Sequence, residues 1–67
     1  MTKKEFENKI SVMLGDLYDA MTAVGRSDLN NARQKACQKQ LDKAYKAVFD
    51  IYYDLDNGIG ISEAFQE

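Results

Sequence analysis

Apolar side chains recur near the start of the chain at Phe6, Ile10, Met13, Leu14, Leu17, Met21 and Val24. Steps of three and four residues are the period of an α-helix. With Ala20, these positions occupy an arc of roughly 120° around the helix axis. Glu5, Ser11, Gly15, Asp19 and Thr22 fall on the other side. Thr2 and Glu5 form a capping box in front of the repeat, and Gly25 is a natural stop behind it. The pattern predicts a first helix over about residues 3–24.

A second apolar series runs through Cys37, Leu41, Ala44, Tyr45, Val48, Ile51, Tyr52 and Leu55. The positions 37, 41, 44, 48, 51 and 55 alternate steps of four and three, as in a coiled-coil seam. Ser27 or Asp28 is placed to cap this helix, and Gly58 to end it in the left-handed conformation. A second helix is therefore predicted over about residues 28–57, with a tail at 58–67. Arg26, Ser27 and Asp28 make a short turn, and a short turn forces two helices to be antiparallel neighbours. Asp16 and Asp19 then fall across from Arg33 and Lys35. The expected fold is all-α: an antiparallel hairpin of two long amphipathic helices with a short C-terminal tail or helical turn, a single domain over residues 1–67.

The helices differ in length, and the second is most apolar from Tyr45 to Leu55. Counting Ala47, Phe49 and Tyr53, its apolar arc there widens to roughly 200°, which one neighbouring helix does not cover. Either the tail folds back, with Ser62 capping a last short turn, or another subunit packs on it. An antiparallel pairing of two second helices sets the basic half (Arg33, Lys35, Lys39, Lys43) against the acidic half (Asp50, Asp54, Asp56). That charge layout runs against the helix dipole, as a sequence answering to a partner would. A homodimer closing a helical bundle is the expectation. Small domains below about 70–80 residues generally need such a staple.

Composition removes most alternatives. The chain has 67 residues, nine basic and eleven acidic, for a net charge of −2. This balance gives no global attraction to nucleic acid or an anionic membrane. With one cysteine and no histidine, intrachain disulfides and a four-ligand zinc site are both out of reach. The segment Asp54–Ile61 superficially suggests a calcium loop, but neither frame works: Gly58 at the sixth position puts Tyr53 first, and Asp54 first puts Phe65 twelfth. Cys37 lies on the core arc and has no histidine base to activate it. No catalytic residue, cofactor or metal ligand is expected. No run approaches the roughly 20 apolar residues of a membrane span. The N-terminus leads into an amphipathic pattern rather than a signal-peptide core. A single thiol suits a reducing compartment, so the expected location is cytoplasmic.

Two surfaces remain as candidate sites. Tyr45, Phe49, Tyr52 and Tyr53, with Ile59, Ile61 and Phe65 of the tail, suit protein binding, since tyrosine combines a large apolar body with a polar tip. They serve equally as core and dimer packing; Phe49 and Tyr53 at the arc's edge are the best-placed for a partner. Lys35, Lys39, Lys43 and Lys46 share one face of the second helix and would track a phosphate backbone or an acidic protein, or simply be solvated. Asp50 and Asp54 extend that face and would repel phosphate. The expected function is a non-catalytic protein–protein interaction module, a small regulator or inhibitor of a larger protein, of the sort phages and mobile elements encode. The alternatives are a nucleic-acid-binding dimer using the lysine stripe and a structural subunit of a larger assembly. The architecture resembles small helical-hairpin dimers that regulate by binding, a likeness of fold alone.

Overall fold

The computed structural model describes residues 1–65. Two helices, α1 (Lys3–Gly25) and α2 (Asn31–Asn57), pack against each other as an antiparallel hairpin, followed by a 3₁₀ turn over Gly60–Ala64. No strand occurs among the described residues. Thr2, in extended conformation, opens α1: its hydroxyl oxygen accepts from the Glu5 amide at 3.2 Å.

The junction differs from the expected one. Gly25 is the last helical residue, and Arg26 beyond it is right-handed (φ −101°), so α1 ends without a left-handed glycine. Ser27 closes α1 instead, because its hydroxyl donates to the Val24 carbonyl at 2.7 Å. Its oxygen accepts from the Leu29 amide within the turn, at 3.4 Å, and does not cap the second helix. That role falls to Asn30, whose Oδ1 accepts from the Arg33 amide at 2.9 Å. The α2 helix therefore begins at Asn31, not near residue 28, and the turn spans Arg26–Asn30. The Gln34 side-chain amide donates to the Ser27 and Leu29 carbonyls and ties this turn to α2.

Gly58 ends α2 in the left-handed conformation (φ 67°, ψ 30°), and the amides of Gly58 and Ile59 both donate to the Asp54 carbonyl. The tail then folds back. Ser62 is buried within the 3₁₀ turn, where its hydroxyl donates to the Ile59 carbonyl at 2.9 Å; Ile59, not Ser62, holds the cap position. The Phe65 ring reaches Phe6 of α1, with centroids 5.4 Å apart. Gly60 makes the reversal possible: its φ is 54°, and a Cβ there would fall on the Asp54 carboxylate. Gly58→Ala meets open space and should cost about 1–2 kcal/mol for its left-handed φ alone. Gly60→Ala should cost about 1–2 kcal/mol more, since the Asp54 carboxylate has to swing away as well. Thermal unfolding of the two variants checks this; equal losses would mean the carboxylate moves freely.

Ile10, Leu14 and Leu55 are buried, and Leu55 is 1% exposed. Phe6, Leu17, Ala20, Met21 and Val24 line the same seam half-buried, opposite Cys37, Leu41, Ala44, Tyr45, Val48, Ile51 and Tyr52. Met13, expected in the core, is 47% exposed. It lies near the edge of the apolar arc, where a single facing helix covers a long side chain only in part. The expected ion pairs of Asp16 and Asp19 with Arg33 and Lys35 do not form; among the described residues the ion pair is Asp42–Lys46, within α2, at 3.0 Å. The result is a rod, 48 × 17 × 14 Å. Its Cα radius of gyration is 14.8 Å, against about 11 Å for a compact chain of this length.

Candidate functional site

A rod of two helices has little interior, so its chemistry lies on its faces. On α2, residues Tyr45, Phe49 and Tyr53 follow one another at four-residue spacing, which stacks them along one edge of the seam. Tyr45 is half-buried and its ring lies nearly parallel to that of Phe49, 6.3 Å away between centroids. Phe49 is 44% exposed and Tyr53 52%. These three form an aromatic ridge. A shallow depression beside it is lined by Asp42, Tyr45, Lys46, Phe49 and Asp50.

The structure splits the expected aromatic and tail residues into two groups. Phe49, Tyr53, Ile59 and Ile61 face solvent. Tyr45 and Tyr52 are half-buried, while Phe65 is half-buried and packs on Phe6, so it serves the fold. The fold thus uses part of the wide apolar arc for its own tail and leaves the ridge open.

Lys35, Lys39, Lys43 and Lys46 are all exposed on α2. Asp42 holds Lys46, which offsets one of the four charges, and exposed Asp50 continues the row. Cys37 is a free, half-buried thiol. No group of three or more Cys, Asp or Glu side chains converges to hold a metal ion among the described residues, and none of the described helices is long and apolar enough to cross a membrane.

A further surface escaped the sequence reading. Val12 (64% exposed) and Met13 sit on the outer side of α1 in a shallow depression lined also by Asn8, Lys9 and Asp16. The periodicity assigned Met13 to the core and gave Val12 no role. The signal available was their adjacency: when Leu14 faces the seam, residues 12 and 13 cannot both do so. Tyr18 is likewise exposed on α1.

No family model, curated protein or solved structure matches this chain.

Proposed function

We propose that this protein is a non-catalytic interaction module that regulates or inhibits a larger protein by binding it through the α2 ridge. The observation that carries this reading is the set of large apolar side chains in the C-terminal half of the chain (Phe49, Tyr53, Ile59 and Ile61) that stay exposed after the tail has folded back. Exposed apolar surface that the fold itself does not use marks an interaction site more often than an isolated exposed leucine does. Tyr45 stiffens the ridge by stacking on Phe49, which lowers the ordering cost of binding. Non-catalytic binding also fits a chain without histidine whose one thiol is half-buried. That thiol suits the cytoplasm, where it stays reduced.

A nucleic-acid reading is the weaker one, because Asp42 pairs with Lys46 and Asp50 continues the lysine row with the opposite charge. The test is capture by the immobilised chain from extracts of its source cells, followed by titration of the captured protein. Phe49→Ala and Tyr53→Ala should each weaken binding about 30-fold, as hot-spot aromatics do at about 2 kcal/mol. Their helical circular dichroism should not change. If both variants bind as the unmodified chain does, the ridge is not the site.

A further inference from the structure

The chain exposes more surface than its size calls for. Its accessible area is 5148 Å², whereas a compact folded monomer of 7.6 kDa exposes about 4300 Å². The excess is close to the roughly 800 Å² that each partner buries in a standard interface.

The outer face of α1 carries a pattern that a second copy would complement. Along it run Lys9, Val12, Met13 and Asp16, all exposed. The sequence of chemistries is cation, apolar pair, anion, with the apolar pair midway. Place a two-fold axis between Val12 and Met13 and run a second α1 antiparallel to the first. Lys9 then faces Asp16 of the second copy, and Asp16 faces its Lys9. Val12 and Met13 face each other's counterparts across the axis. This is the self-complementarity an isologous two-fold interface requires. Neither Lys9 nor Asp16 has an ion-pair partner among the described residues, so both charges are available.

We propose that a second copy of this chain docks antiparallel on the outer face of α1 around Val12 and Met13, with Lys9–Asp16 pairs at either side. The resulting dimer leaves both α2 ridges outward and presents two binding surfaces. It differs from the pairing of two α2 helices that the charge halves suggest, and it does not depend on the ridge being a binding site. Glu5 and Asp19 of the second copy fall near one another at the ends of this interface and are its unfavourable contact. Asp19→Lys should therefore tighten the dimer severalfold.

A charge swap tests the geometry. The instrument is sedimentation equilibrium at low ionic strength, at concentrations up to about 1 mM, on the full chain. The unmodified chain should dimerise. Lys9→Glu places two carboxylates across the axis on each side, and Asp16→Lys places two ammonium groups there; each should weaken the homodimer at least about tenfold. An equimolar mixture of these two variants restores both opposite-charge pairs and should form heterodimers at close to the original affinity. Circular dichroism confirms that these exposed substitutions leave the hairpin folded. A monomer at every concentration overturns the proposal. So does a dimer that ignores both charge changes, or one lost in Phe49→Ala and Tyr53→Ala but kept in Lys9→Glu, which would assign the α2 ridge to the second copy. Loss of partner capture by the ridge variants with the dimer intact would separate the two surfaces, and normal capture by them would sink the ridge reading alone.

Discussion

Leu55→Ala is expected to cost about 3–5 kcal/mol and leave the chain largely unfolded at 25 °C. Leu55 is 1% exposed, the deepest of the buried apolar residues, and lies near the end of α2, the helix that packs on both α1 and the 3₁₀ turn. Removing its isobutyl group takes away the transfer energy and opens a cavity under the 3₁₀ turn. That turn cannot collapse inward freely, because Ser62 is tied to the Ile59 carbonyl and Gly60 abuts Asp54. A scaffold of this size rarely holds more than about 3–5 kcal/mol in total, so a loss of that order matches the whole stability. Leu29→Ala, in the exposed turn, should cost under about 0.5 kcal/mol and serves as the control. Urea unfolding followed by circular dichroism, at one fixed chain concentration, distinguishes them. Similar midpoints for the two variants would mean that the core is not centred on Leu55.

The hairpin was legible because both helices carry long, regular apolar repeats. Every seam residue read from α2, from Cys37 to Leu55, is buried or half-buried. Gly58 ends α2 in the left-handed conformation its position suggested. The turn was less legible. Ser27, Asp28 and Asn30 are all competent caps; Asn30 caps α2, while Ser27 serves the end of α1. Three capping residues so close together carry no local mark of which one the helix starts from. Met13 failed for a related reason: an apolar arc read from periodicity has no edges until the width of the neighbouring element is known. The aromatic cluster was legible as a group, but not its division. Phe65 turns inward only because the chain reverses at Gly60, and the sequence alone does not specify where the tail lands. The depression around Val12 and Met13 went unread because Met13 was placed in the core and Val12 given no role, and neither was taken as a neighbour of Lys9 and Asp16.

Phe6→Ala and Phe65→Ala should each cost about 2–3 kcal/mol, and the double variant should cost less than their sum by about 0.5–1.5 kcal/mol. The two rings, 5.4 Å apart with planes inclined by 31°, join the start of α1 to the end of the described chain. Each is half-buried, so truncation forfeits part of a full phenylalanine burial, which places the single losses below the 3–5 kcal/mol of a deep core ring. The coupling arises because removing either ring strands the other against weaker neighbours. More than this pair depends on the contact. Among the described residues, the tail's other apolar side chains, Ile59 and Ile61, are exposed, so Phe65 is its principal apolar anchor. Freeing it should loosen the 3₁₀ turn and uncover Leu55. Amide hydrogen exchange in Phe65→Ala should therefore rise first at Ser62 and Phe65, whose amides bond within the turn, while the centre of α2 stays protected. Additive losses with unchanged exchange at Ser62 would mean that the turn holds itself in place through the Ser62–Ile59 bond and Gly60, with the ring pair contributing only buried area.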